Sequence, residues 1–258
     1  MRAEEFTKAN FLFPVSLSIN RKLTMQIFPS SKEVYLSELN TLNIGVEFLR
    51  IHSVITRGLE VATENSQSFA QQGYPNTSMR EGFISYLRSL VSVLHAHHLN
   101  EDEVAFPNLR DKFPDTPWDL LKAQHRDIVS VLEEIKAAIE KAAADAQASE
   151  SLNKLNHALR RVTDLWHPHI RIEEDHFTVD KVALLIDLKE QIRLSRMFME
   201  HFQKNSGPDY LVVPFFLCNL PPEERVTFTE RMPPLVTEQL VPAVWKEKWE
   251  PMKPFLLS

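Results

Sequence analysis

Phe83-Ile84-Ser85-Tyr86-Leu87-Arg88-Ser89-Leu90-Val91-Ser92-Val93-Leu94-His95-Ala96-His97-His98-Leu99-Asn100-Glu101 is the stretch on which the reading of this chain turns. Phe83, Leu87, Leu90 and Leu94 recur at three- and four-residue spacing, the mark of one buried helical face. The same phase runs on to His97 and then Glu101, so an imidazole and a carboxylate stack one turn apart on that face. A carboxylate buried there demands a partner.

Three further segments repeat the pattern. From Tyr35 to about Asn65, Leu39, Leu42, Val46, Leu49 and Leu59 predict a helix whose apolar stripe carries His52. Gly73, Pro75 and Asn76 break it, and Thr77 or Ser78 can cap the second helix, which stops near Pro107. Phe113-Pro114-Asp115-Thr116-Pro117 reads as a turn ending in an N-cap, Thr116, with Pro117 at the first helical position. The third helix then runs through Leu121, Ile128, Leu132, Ile135 and Ile139, with His125 in phase. After the alanine-rich stretch Ala137 to Ala148, a fourth helix carries Leu152, Leu155, Leu159, Val162 and Leu165 to about Phe177. On it His169 follows Leu165 by four residues and Glu173 follows His169 by four.

Four long helices with short links predict an all-α fold, an antiparallel four-helix bundle over residues 35–180. Residues 1–34 read as an N-terminal arm, and 181–258 as a helix over Val182 to Phe202 followed by a proline-rich cap of short helices and turns. Only 5 glycines in 258 residues also disfavour a fold built from tight hairpins.

Composition narrows the chemistry. Cys218 is the only cysteine, which removes an intrachain disulfide, a thiolate-rich zinc site and an iron–sulfur cluster held by this chain. A formal charge of −6 disfavours a non-specific nucleic-acid binder. Phe11 to Ile19 is short, contains Pro14 and follows Glu4 and Glu5, unlike a secretory signal, and no run of about 18 apolar residues predicts a membrane span. The expectation is a soluble cytoplasmic protein that engages neither membrane nor nucleic acid.

Each predicted bundle helix delivers an inward imidazole: His52, His97, His125 and His169, with Glu101 and Glu173 on two of them. As unrelated core residues they would leave several polar groups unpaired, each costing about 1–3 kcal/mol. Neutral imidazoles and ionised carboxylates are the ligands that borderline divalent metals accept, and glutamates can bridge two ions. The two His-x-x-x-Glu pairs thus point to a two-metal site.

Leu49-Arg50-Ile51-His52, His97-His98-Leu99-Asn100-Glu101-Asp102-Glu103-Val104-Ala105-Phe106-Pro107, Leu121-Lys122-Ala123-Gln124-His125-Arg126 and His169-Ile170-Arg171-Ile172-Glu173-Glu174 resemble the four helix signatures of the hemerythrin-like, or HHE cation-binding, family. The resemblance covers roughly residues 36–180. It implies a di-iron centre with His52, His97, His125 and His169 as terminal ligands and Glu101 and Glu173 as bridges. Oxygen-carrying hemerythrins have a further histidine four residues after the third-helix ligand, where this chain has Val129. One metal should therefore have an open or differently filled position.

The function expected is a redox metalloprotein whose two irons bind and react with O2, peroxide or NO, or oxidise a small molecule held under the tail. The rival readings are a sensor of oxygen or iron without turnover, and a structural site for zinc or manganese. His98 with Asp102 repeats the four-residue spacing but is rotated about 100° from the His97 phase, so it is expected at a helix edge. His95, His157, His167, His176 and His201 are expected at the surface, in the cap or behind the ligands, His176 being the foremost candidate for the last role. Glu103, Glu174 and Asp175 are candidates to orient ligand rings. Phe198, Phe202, Phe215, Phe216, Trp245 and Trp249 are expected to pack the cap, which could close over the site.

Overall fold

A computed structural model of the chain describes residues 42–144 and 149–257. The predicted arm, the start of the first helix at Tyr35, and Leu39 lie outside the described residues, as do 145–148. The described residues are helical, with no strand among them.

Helix α1 spans Ile44–Gln72, with the Asn43 side chain accepting from the Gly45 amide at 2.8 Å. It ends at Gly73, whose φ of 75° is open to glycine without strain. Its buried stripe is Ile44, Phe48, His52, Ile55 and Leu59. Leu49, expected on that stripe, is 44% exposed, because Phe48 rather than Leu49 is in phase with the residues below it.

Helix α2 covers Thr77–Asn100, and its cap is Asn76, not Thr77 or Ser78; the Asn76 side chain accepts from the Met79 amide. The helical run ends at Leu109, two residues past Pro107. A π turn over Glu101–Ala105 leads into a last helical turn, Phe106–Leu109. Proline has no amide hydrogen, and its ring crowds the carbonyl four residues back. The helix widens just ahead of Pro107, where the Phe106 amide reaches back five residues to the Glu101 carbonyl.

Helix α3, Trp118–Ala144, begins one residue later than predicted: Pro117 precedes it and its carbonyl accepts from the Leu121 amide, while the Thr116 hydroxyl, expected to cap the helix, has no hydrogen-bond partner among the described residues; α4 is Ser149–His176. α1 packs on α4 and α2, and α3 packs on the same two, so the four helices enclose one interior. Two apolar clusters fill it. The larger includes Ile55, Leu59, Leu90, Ile128 and Val162; the smaller includes Ile44, Phe48, Phe106, Leu121 and Phe177. His52, His125 and Glu173 fall in sequence between members of the two clusters, so the polar residues form a layer between apolar ones.

The single helix predicted over Val182 to Phe202 is broken into α5, Val179–Leu185, and α6, Leu188–Asn205. Ile186 is extended between them, and the Asp187 carboxylate accepts from the Glu190 amide, starting the second piece afresh. α7, Asp209–Asn219, and α8, Pro222–Thr229, follow. A π segment, Leu235–Val244, leads to α9, Lys246–Trp249, and a closing 3-10 turn, Glu250–Phe255. Phe215, Val236, Trp249, Met252 and Phe255 enter the larger cluster. The closing turn lies on α2 at Gly82, where a Cβ atom would collide with the Pro251 carbonyl. No helix among the described residues is long and apolar enough to cross a membrane.

Candidate metal centre

All six residues singled out on the sequence are buried, and they meet in one layer. Two groups form there: His52, His97, Glu101 and Glu173 in one, and His98, Glu101, His125 and His169 in the other, the candidate ligand atoms of each lying within 4.8 Å of one another. Glu101 belongs to both.

Both glutamates face both groups. Glu101 places Oε1 3.3 Å from Nε2 of His97 and Oε2 3.4 Å from Nε2 of His125. Glu173 places Oε2 3.2 Å from Nε2 of His52 and Oε1 3.6 Å from Nε2 of His169. Two ligand atoms bound to one ion at about 2.0–2.2 Å stand roughly 3–4 Å apart, so these separations suit a shared cation.

The opposite edges of two rings are held by hydrogen bonds, and that of a third faces a carboxylate at ion-pair distance. Nδ1 of His52 donates to Glu174 at 3.0 Å, Nδ1 of His169 donates to the Gln124 carbonyl oxygen at 3.1 Å, and Nδ1 of His125 lies 3.0 Å from Asp102 Oδ1. With the proton of a neutral ring kept on Nδ1, each Nε2 lone pair is left facing inward. Nε2 of His125 and Nε2 of His169 then stand 3.2 Å apart, lone pair against lone pair unless a cation or proton intervenes. Nε2 of His52 and His97, both oxygens of Glu101 and Glu173, and both ring nitrogens of His98 are buried with no hydrogen-bond partner among the described residues. Such groups are costly when left alone, and a pair of divalent ions is what this donor set fits.

The matching model is that of the hemerythrin HHE cation binding domain, over residues 46–178, more than half of the 258-residue chain. The chain belongs to the hemerythrin HHE family. No curated protein and no solved structure matches it. The HHE domain accordingly runs from α1 to the end of α4, and α5 to the closing turn lie beyond the matched residues.

Within the HHE domain the metal-free site balances its charge with protons. Burial pulls His125 down, but the carboxylates of Asp102 and Glu101 outweigh it and carry the ring to about 10. His52 reaches about 9 for the same reason, burial being outweighed by Glu173 and Glu174. Burial, then repulsion from Glu173, push Glu101 up to about 8. Burial would raise Glu173 as well, but the imidazoles around it, His169 first, hold it below the usual carboxylate range. Burial keeps His97 and His98 well below the ordinary histidine value and takes His169 to about 4.

His98, expected at a helix edge, is 1% exposed and stacks on His125 with ring centroids 4.4 Å apart. The partly exposed edge of α2 at this level is carried by Ser92, His95 and Leu99, not by His98. The buried residues of the helix include Tyr86, Leu87, Ser89, Leu90, Val91 and Val93, because helices lie on several of its sides. A helix apolar nearly all round is a buried helix, and the run Leu90, Val91, Val93, Leu94 was the signal for a second buried face. In the HHE domain His98 thus stands in the group that contains His125 and His169.

Among the supporting residues, Glu174 orients a ring as expected, whereas Asp102 and Gln124, which do the same, were not expected to. Glu103 instead pairs with His201 at 2.9 Å, and His176 donates to its own helix at Ile172. His157, His167 and Asp175 are exposed, and His95 is half-buried. Of the tail aromatics, Phe215, Trp245 and Trp249 pack the core, while Phe198, Phe202 and Phe216 line a cavity that reaches His97 and Glu101.

Proposed function

We propose that the chain is a hemerythrin-like antiparallel four-helix bundle holding two iron ions, which react with O2, hydrogen peroxide or NO. In this reading His52 and His97 are terminal ligands of one ion, His98, His125 and His169 are terminal ligands of the other, and Glu101 and Glu173 bridge them. The observation that carries it is that each buried glutamate presents one oxygen to each histidine group, with no hydrogen-bond partner for any of the four oxygens. A held iron pair would supply a site for small oxidants to bind and electrons to reduce them.

The protein's own part is to fix the donors and to control access. Glu174, Asp102 and Gln124 hold three rings with Nε2 inward. The apolar clusters on either side keep bulk water from the layer, which strengthens the interaction between the carboxylates and any cation they hold.

Metal analysis with an optical spectrum tests the reading, on protein reduced without air and then exposed to air, peroxide or NO. About two irons per chain, with new charge-transfer bands on exposure, are expected. Two irons that respond without turnover would favour a sensor, and a colourless protein holding zinc or manganese would overturn the redox role.

A further inference from the structure

His98 stands in the metal layer without the support that three other rings have. Hydrogen bonds at Nδ1 tie His52 to Glu174 and His169 to Gln124, and Asp102 faces Nδ1 of His125. Both ring nitrogens of His98 are buried with no hydrogen-bond partner among the described residues. Four rings of the described residues lie against it instead. His125 is stacked on it at 4.4 Å between centroids, His97 and His169 are each at 5.2 Å, and Trp166 is at 5.8 Å. The three imidazoles are candidate ligands themselves, so they respond to metal together with His98. Trp166 is neither a ligand nor a titrating group.

Trp166 lies on α4 three residues before His169 and is fully buried. Its ring is also 5.5 Å from that of His52, 5.7 Å from His97 and 6.1 Å from His169, within the range of about 4.5–7 Å at which aromatic rings are in contact. One indole thus meets rings of both metal groups, His52 and His97 of one and His98 and His169 of the other. It belongs to the larger apolar cluster and closes that side of the layer. Its own orientation is fixed from α1, because Nε1 donates to Oγ1 of Thr56 at 2.9 Å. Thr56 follows His52 by one helical turn, so the indole lies against the ring of one and is bonded to the hydroxyl of the other.

We propose that Trp166, pinned by Thr56, is the positioning residue for His98: the fixed indole sets the plane of the imidazole by contact, where Glu174 and Gln124 set His52 and His169 by hydrogen bonds. Ligand rings need their orientation held to within about 10–20° by neighbours that are themselves locked. The indole meets this need because its one polar atom is bonded away from the site and the rest of it is rigid. The inference rests on the two-metal reading only for His98 being a ligand; the packing of Trp166 on the ring is made by protein atoms alone.

The test combines ring signals of the metal-free full chain with cobalt(II) binding. With isotope-labelled histidine, His98 should give a single sharp set of ring signals by NMR, identified by its loss in His98→Leu. Thr56→Val removes the acceptor at nearly constant volume and should broaden or double that set, while His169, bonded to Gln124, stays sharp. Thr56→Ser restores a hydroxyl and should restore the single set. In the cobalt(II) form, Thr56→Val and Trp166→Phe should shift the visible bands and weaken binding of one ion about tenfold, again with rescue by Thr56→Ser. Trp118→Phe alters another buried tryptophan, whose ring meets Phe106 and Phe177, and should lower the melting temperature without moving the His98 signals. His98 signals and cobalt bands unchanged in Thr56→Val and Trp166→Phe, or changed equally by Trp118→Phe, would overturn the positioning role. If Trp166→Phe does not fold, Thr56→Val and its rescue by Thr56→Ser decide the matter. A wild-type chain that takes up no cobalt, while Thr56→Val still disturbs His98, would count against the metal reading alone.

Discussion

Asp102 Oδ1 stands 3.0 Å from Nδ1 of His125, at the edge of the ring opposite the nitrogen that faces Glu101. Glu174 stands at the same distance from Nδ1 of His52, whose Nε2 faces Glu173. In the π turn that continues α2 and on α4 alike, a glutamate aimed into the site is followed by an acid that faces a histidine of the neighbouring helix. Asp102→Asn and Glu174→Gln should each lower metal affinity by about 10- to 100-fold while the helical content stays unchanged. Competition with a coloured chelator measures this, and unaltered affinity in both would remove the orienting role.

Glu101→Gln and Glu173→Gln keep volume and remove a bridging charge. Each should reduce the metal content from two ions per chain to one or fewer, read by elemental analysis. Full occupancy in both variants would sink the bridging assignment.

His98 separates the observed cluster from the six residues expected from periodicity. His98→Leu should lose metal chiefly from the group containing His125 and His169, leaving about one ion per chain. His157→Ala, at an exposed position, should retain both. Equal metal content in the two variants would return His98 to the role of a packing residue.

Metal uptake should release protons. His52 and His125, at about 9 and about 10, carry a proton at pH 7 when no metal is bound, and Glu101, at about 8, is largely protonated too. All three must be free of that proton to act as ligands, so roughly three protons leave on loading at pH 7 and affinity rises with pH. Without metal the sign for stability reverses: a raised folded-state value stabilises below the unfolded value, and that contribution is lost as pH rises through about 8 to 10. Metal-free protein should therefore melt lower at pH 10 than at pH 7, and loaded protein should lose less. Calorimetry in buffers of different ionisation heat counts the protons, and a count near zero would contradict the proton-filled site.

Gly82→Ala tests the attachment of the tail. Its methyl group would strike the Pro251 backbone carbonyl, which cannot swing aside as a side chain tip can. Overpacking of this kind costs about 1–3 kcal/mol. A fall in denaturant midpoint should follow, with metal content preserved, because the site layer lies further along α2.

The sequence by itself determined the helical class, the four helices with their inward histidines, and the family. These are local properties, since apolar spacing sets a helix's buried face, and His97, His125, His169 and Glu173 lie on such stripes. His52 was placed inward although Leu49, part of the argument for it, faces outward; Phe48 and Ile55 hold the true phase. The tertiary structure alone decided what surrounds α2. A stripe tells which face of a helix is buried, but not whether another element covers the opposite face, so His98 and the cavity that reaches His97 and Glu101 were out of reach. The orienting roles of Asp102 and Gln124 were likewise settled between helices, at α2 with α3 and α3 with α4. The π turn over Glu101–Ala105 shifts the register of the helix in a way that a fixed 3.6-residue period cannot express.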